Sequence, residues 1–195
     1  MGRYIGLGLL VVIVLYFISS YNGLVKSEEN LNEKWANVEN QYKRRYDLID
    51  NLQNTVKGAA SFESNTLKDV TEARSKASQL TIDPATATPE QINAFLEAQK
   101  GLSSAISRLL VTVESYPQLQ VPQAFRDFMT SQEGTENRIA VARMDYNEAV
   151  KSYNTKVRSF PGNMMAGIFG FERRNTFEAP EGAENAPKVD FGTEK

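Results

Sequence analysis

The most uneven part of the hydrophobic pattern lies at the start of the chain. The 22 residues from Tyr4 to Val25 carry no charged side chain, and their core, YIGLGLLVVIVLYFIS, is almost wholly apolar. A helix of about 20 apolar residues crosses the ~30 Å hydrocarbon core of a bilayer. The pattern therefore predicts a transmembrane anchor over residues 1–25. Its representative lipid-facing or interfacial side chains are Tyr4, Leu10, Val14, Phe17 and Tyr21.

A cleaved signal peptide is the alternative interpretation of this run. Arg3 precedes the apolar stretch, and a positive residue before an apolar segment also describes a secretory signal. The stretch is at the long end for a signal, and Ser19-Ser20-Tyr21-Asn22 lacks a clean small-x-small cleavage pattern. The chain has no cysteine, which closes the lipoprotein route. These points favour a retained anchor.

From Leu31 onward the apolar positions alternate at steps of four and three, which is typical of a bundle or coiled-coil helix. No proline occurs before Pro84, so one helix can leave the membrane and become the first helix of a bundle. Gly58 is the predicted place of a bend, since glycine costs ~1 kcal/mol inside a helix. The two tracks of the stripe are Leu31, Val38, Leu52 and Ala59, and Trp35, Tyr42, Ile49 and Val56.

Two further long helices follow. Thr88 is a predicted N-cap with Pro89 in the first helical position, and Gln91 can complete a capping box with Thr88. A third bundle helix is predicted from about Gln123 to Phe160. No sustained alternation of period two indicates a strand. The sequence therefore predicts an all-α, elongated antiparallel bundle of three to four helices over residues 26–160. The predicted seam residues are Leu31, Trp35, Val38, Tyr42, Arg45, Ile49, Ile139, Tyr146 and Tyr153.

Arg45 interrupts one apolar track, and a charge at a seam position is costly unless it is paired. One interpretation is an arginine that binds an anion or another ligand inside the bundle. The favoured interpretation is an interhelical ion pair, with Glu133, Glu136 and Asp145 as candidate partners. The same choice arises for the aromatic residues, which could line a binding cleft but at this spacing are more typical of a core. These aromatic residues are Trp35, Tyr42, Tyr46, Tyr146 and Tyr153.

The segment 161–177 contains the apolar, glycine-containing run MMAGIFGF, which is too short to span a bilayer. Packing on its own bundle, a membrane contact and a partner contact are all consistent with such a run. Residues 178–195 are predicted to form an acidic, flexible tail. The candidate partner or membrane contacts are Met164, Met165, Ile168, Phe169 and Phe171.

The amino-acid composition argues against several classes of function. A net charge of -2 with 24% charged residues argues against a dedicated nucleic-acid binder. The chain has neither cysteine nor histidine, which excludes thiol chemistry, histidine-based acid–base catalysis and histidine metal sites. Carboxylates are plentiful, but a solvated helix face explains them better than a calcium or magnesium site. We therefore predict a non-enzymatic protein with no catalytic, metal or cofactor residues.

Several segments together resemble the LemA family, in the order in which they occur there. The anchor is followed by YNGLVKSEENLNEKWANVENQYKRRYDLIDNLQNTVKG, and the third helix carries EGTENRIAVARMDYNEAVKSYN. FPGNMMAGIFGF and FEAPEGAENAPKVDF come next. One departure is visible, because the family commonly has proline where this chain has Asp50. The first helix should therefore be straighter at that position.

The resemblance implies a bacterial membrane protein with an N-terminal anchor and an antiparallel bundle, usually of four helices. It implies no catalytic activity. Some relatives belong to sets of proteins that organise magnetosome membranes, and some family genes lie near membrane peptidases. We accordingly expect a scaffold that forms homo-oligomers or assembles with other membrane proteins. An adaptor or regulator of a membrane protein such as a peptidase is the alternative. The distribution of basic residues gives a slight preference for a cytoplasmic bundle.

Overall fold

The computed structural model describes residues 2–56, 64–115 and 123–177. They form five helices: α1 (Gly2–Val56), α2 (Ser64–Gln79), α3 (Pro89–Ser115), α4 (Gln123–Arg158) and α5 (Gly162–Phe169). Throughout these three ranges the chain forms no strand. The all-α prediction is confirmed. The predicted acidic tail, residues 178–195, lies outside the described residues.

Helix α1 has two parts with opposite environments. Its apolar beginning is exposed, with Tyr4 at 81% and Leu10 at 59%, whereas Leu24 and Leu31 are almost fully buried. Among the described residues, α1 is the one helix long and apolar enough to cross a membrane. Exposed apolar side chains are stable when lipid surrounds them. The prediction that the apolar helix continues directly into the bundle is confirmed.

The first predicted bundle helix divides into α1 and α2, which run antiparallel. Tyr46 Oη donates to the Ala77 carbonyl at 3.2 Å, and Gln53 Nε2 donates to Thr71 Oγ1 at 2.9 Å. Gly58, the predicted place of a bend, and Ala59 lie outside the described residues.

Helices α3 and α4 complete an up-and-down four-helix bundle. The ring of Tyr42 on α1 meets that of Phe95 on α3 at 5.0 Å, and Trp35 on α1 meets Tyr146 on α4 at 5.2 Å. The predicted capping box at the start of α3 is present. Gln91 N–H donates to Thr88 Oγ1 at 3.3 Å, and Thr88 N–H donates to Gln91 Oε1 at 2.9 Å.

The core runs along the whole bundle in two clusters. One cluster surrounds Trp35 and Tyr146 at the end near the apolar part of α1, and the other surrounds Leu52 and Phe125 at the far end. All nine predicted seam residues are buried: Leu31, Trp35, Val38, Tyr42, Arg45, Ile49, Ile139, Tyr146 and Tyr153.

Two glycines fix the position of α5 against the bundle. A Cβ on Gly162 would lie 2.1 Å from the Lys156 carbonyl oxygen, so only glycine allows α5 to begin this close to α4. Gly170 ends α5 with φ +76°, and its N–H donates to the Ala166 carbonyl at 2.9 Å. Helix α5 therefore packs directly against the bundle.

Candidate functional site

A buried polar network crosses the middle of the bundle around Arg45, whose side chain is fully enclosed. Arg45 Nη2 lies 3.0 Å from Glu136 Oε1 on α4 and donates to Ser103 Oγ on α3 at 2.5 Å. Arg45 Nη1 donates to Gln99 Oε1 on α3 at 3.4 Å. Of the three acids considered from the sequence, Glu136 is therefore the partner. A charge-assisted pair of this kind sets helix register.

Tyr46 extends the network to α2. Gln99 Nε2 donates to Tyr46 Oη at 2.5 Å, and Tyr46 Oη donates to the Ala77 carbonyl. Burial raises the pKa of Tyr46, although the Gln99 hydrogen bond opposes this. Burial likewise lowers the pKa of Arg45, and the Glu136 carboxylate counteracts it. Arg45 stays charged at neutral pH, because a guanidinium holds its proton strongly. Tyr46 stays a neutral donor at neutral pH, because its pKa is raised above the ordinary 10.0.

Two buried atoms of this region lack hydrogen-bond partners within the described part of the chain. They are Arg45 Nε and Gln132 Oε1. Gln132 Nε2 is satisfied, because it donates to Glu136 Oε1 at 2.5 Å. Buried polar atoms are nearly always paired, so an unpaired acceptor beside an opening is a place where a donor group could bind.

The opening beside Gln132 is a cleft of about 510 Å³ between α3 and α4, which is within the size range of ligand sites. Ile106, Leu110 and Phe128 give it apolar walls, and Glu133 makes one side acidic, since the charge of Glu136 is paired with Arg45. The spacing of apolar residues along α3 and α4 did not predict this cleft.

The predicted aromatic residues form a core and not a cleft. Trp35, Tyr42, Tyr146 and Tyr153 are buried, and Tyr46 is partly buried. Burial raises the pKa of Tyr146 to about 12. Its hydroxyl donates to the Asn175 carbonyl at 3.4 Å, so the hydroxyl reaches the rim as expected for a core tyrosine.

An extended segment, residues 171–177, packs along α1 and α4; we call it the C-terminal strap. Asn154 Nδ2 donates to the Arg174 carbonyl at 2.8 Å, and the Arg174 N–H donates to Asn154 Oδ1 at 2.9 Å. Asn147 makes the same pair of bonds with Phe177, at 2.9 and 2.8 Å. The two asparagines lie two helical turns apart on α4, so they hold the strap at two fixed points.

Arg174 ties the strap to the rest of the bundle. Its Nη2 lies 2.7 Å from Glu28 Oε1 on α1, and its Nη1 donates to the Ala85 carbonyl at 2.6 Å. Its guanidinium also lies over the Tyr153 ring, 5.7 Å from the centroid. The strap therefore joins α1, α4 and the connection between α2 and α3.

The profile of the LemA family matches residues 34–191, which is most of the chain. The chain belongs to the LemA family. Magnetosome protein MamQ 1 of Paramagnetospirillum magneticum is 30% identical over 190 residues, which cover 88% of this chain and 70% of the relative. Protein LemA of Metamycoplasma hominis is 23% identical over 175 residues, covering 89% of this chain and 76% of the relative.

The departure from the common LemA family sequence at Asp50 has a structural role. Helix α1 continues through this position without interruption. The Asp50 carboxylate forms an ion pair with Arg74 on α2. A proline there could not make this link. In this LemA family chain, Asp50 therefore connects the first two bundle helices.

The predicted contact residues of the segment after the bundle divide into two groups. Met165 is buried and Phe171 is partly buried against the core, so Met165 is not available to a membrane or partner. This corrects the sequence-based set, and the reason is that Met165 lies on the face of α5 that packs against the core. Met164, Ile168 and Phe169 are exposed.

Proposed function

We propose that this LemA family chain is a non-enzymatic scaffold of the bacterial cell membrane, which assembles with itself or with other membrane proteins. The observation that supports this most directly is the continuity of α1, from the exposed apolar run through Leu24 into the buried seam. Because no loop separates anchor from bundle, the bundle would stand at a fixed angle to the bilayer. A scaffold needs such geometry to present one surface consistently.

The relatives support a membrane-organising role. The MamQ proteins are named as magnetosome proteins, and they align with most of this chain. The lack of histidine and cysteine leaves the commonest acid–base and nucleophilic mechanisms without their side chains. Both observations fit a protein that acts by binding and position.

The bundle is proposed to lie in the cytoplasm. Arg3 precedes the apolar run, whereas Lys26 and Lys34 follow it within the counted window. The difference is small but favours the bundle side as the inside. Since the chain has no cysteine, a single Met144→Cys variant can report the side. An impermeant maleimide should label this cysteine only after the cells are opened. Labelling of intact cells would show that the bundle lies outside the cell and would contradict the proposed orientation.

Native mass spectrometry after mild detergent extraction tests the scaffold role. We expect a defined homo-oligomer, or a complex with other membrane proteins, that persists on dilution. A carbonate wash of the membranes should leave the protein in the pellet. A monomer without partners would contradict the scaffold, and release by carbonate would contradict the anchor.

An adaptor for a membrane protein such as a peptidase is the second candidate, and the cleft between α3 and α4 favours it. Its apolar walls, acidic side and unpaired Gln132 acceptor suit a partner segment with a basic or other donor side chain. Met129→Asp would place a charge in the cleft, and Met144→Asp would place one on an exposed position of the same helix outside it. Loss of a co-purifying membrane protein in the first variant alone supports the adaptor; equal retention in both contradicts it.

A further inference from the structure

The end of the bundle nearest the anchor carries a concentrated apolar surface. Within ten residues of sequence, four large apolar side chains are exposed: Phe160, Met164, Ile168 and Phe169. Elsewhere in the described bundle, the exposed side chains of this kind are spread over a much longer stretch of sequence: Leu80, Val111, Val141 and Met144. Single exposed apolar residues are ordinary, but a contiguous patch marks an interaction surface.

This surface is continuous with the apolar run of α1. The Phe169 ring lies 4.7 Å from the ring of Tyr21, and the Phe171 ring lies 5.8 Å from it. Ile18, one turn earlier on α1, is exposed as well. The apolar surface of α5 therefore meets the end of the proposed anchor at Tyr21.

The length of the uncharged run places α5 at a definite depth. Its 22 residues extend for about 33 Å at 1.5 Å per residue, close to the thickness of the hydrocarbon core. Lys26 is the first charge beyond the run, and Tyr21 lies five positions before it, or about 7 Å toward the membrane. Since Phe169 contacts Tyr21, α5 lies at the level where head groups meet acyl chains.

The orientation of α5 is set by the bundle. Gly162 lets the helix begin directly against α4, and Met165 and Ala166 face the core. Met164 and Ile168, one turn apart, face away from it. Helix α5 has no charged residue and carries apolar side chains on both its buried and its exposed face, so its exposed face is better suited to lipid than to water.

We infer that α5 is a second membrane contact, an interfacial foot whose residues Met164, Ile168 and Phe169 enter the lipid beside the anchor. This inference rests on the proposed membrane span of α1. It adds a lateral point of attachment, so that the bundle touches the bilayer at two places. Two attachments restrict the tilt of the bundle as well as its distance from the membrane.

Site-directed spin labelling of the full chain in lipid vesicles tests this, because the chain contains no native cysteine. Single cysteines are placed at Ile168 in α5, at Leu10 in the anchor and at Met144 on α4. The matched control is Met144, since it is also exposed (70%, against 68% for Ile168) but lies on the bundle away from α5. Each nitroxide is probed by oxygen, which concentrates in lipid, and by a water-soluble nickel chelate.

The foot predicts that oxygen collides more often than the nickel chelate with labels at residues 168 and 10, and that the order is reversed at residue 144. If the label at residue 10 is accessible from lipid but the label at residue 168 is accessible from water, α5 does not contact the membrane, although α1 still spans it. Water access at residue 10 would overturn the anchor itself. A label at residue 168 that neither reagent reaches would indicate a second protein copy on this surface, which also overturns the lipid contact.

Discussion

The ring of Phe177 stacks on the indole of Trp35, with centroids 5.6 Å apart and planes inclined by 17°. The contact joins the last described residue of the chain to the first bundle helix. Tyr146 meets both rings, at 5.2 Å from Trp35 and 5.4 Å from Phe177. Arg143 lies over the Phe177 ring at 5.0 Å. The C-terminal strap is thus part of the core, although it lies outside the four-helix bundle in sequence.

Phe177→Ala should lower the free energy of unfolding by about 3 kcal/mol, because it removes a buried ring from this cluster. Thr176→Ala is the matched control, since Thr176 is exposed on the same strap. Chemical denaturation in detergent measures both. Equal midpoints for the two variants would mean that the strap adds no stability.

Asn147→Ala should release the strap at one end and leave the bundle folded. The substitution removes two hydrogen bonds to the backbone of Phe177, for a cost of about 1–3 kcal/mol. Hydrogen exchange should then accelerate at the amide of Phe177 and remain slow in α1 and α3. Unchanged protection at that amide would show that the asparagine does not hold the strap.

Arg45→Ala should destabilise the protein by about 2–5 kcal/mol, because it leaves a cavity in the core and removes the hydrogen-bond partner of Gln99 and Ser103. Arg45→Met should be much less harmful, since it fills the volume and Glu136 is partly open to water. Thermal melting of the two variants compares them. Equal damage would show that the charge has a role beyond packing and register.

Stability should fall as the pH rises from about 10 to about 12. Burial raises the pKa of Tyr146 to about 12, against 10.0 for an ordinary tyrosine. A raised pKa stabilises the fold below the unfolded value, and this contribution is lost as the pH passes through the folded value. The corresponding loss of stability approaches roughly 3 kcal/mol.

Tyr146→Phe isolates this effect, because it removes the titrating group and keeps the ring. Denaturation midpoints measured from pH 9 to pH 12 should decline less steeply in the variant than in the natural protein. Lysine titration contributes equally to both and cancels in the difference. Parallel slopes would mean that Tyr146 is not protected from ionisation by folding.

The sequence predicts the helices well because burial imposes the same spacing along each of them. Leu31, Val38 and Ile139 could be assigned to the seam for this reason. The boundary between α1 and α2 could not be predicted from this spacing, because both helices carry an apolar stripe with the same period. Periodicity therefore indicates helical faces but does not locate a reversal of the chain.

The C-terminal strap and the cleft could not be predicted from periodicity. The strap is extended and is held by side chains of α4, so its own sequence contains no repeating signal; Asn147 and Asn154 appear as ordinary exposed polar residues. The cleft depends on how far α3 and α4 separate at Gln132. That distance follows from tertiary packing and not from the local sequence.

The unbroken path of α1 also fixes a rotational phase. Each residue of a helix turns the chain by about 100°, so the direction in which every bundle face points is set by the number of residues between it and the lipid. Adding one residue within the apolar run would rotate the whole bundle by about that angle, with almost no change in height. In this protein, the number of residues in the apolar segment therefore sets the direction in which each face of the bundle points around the axis of α1.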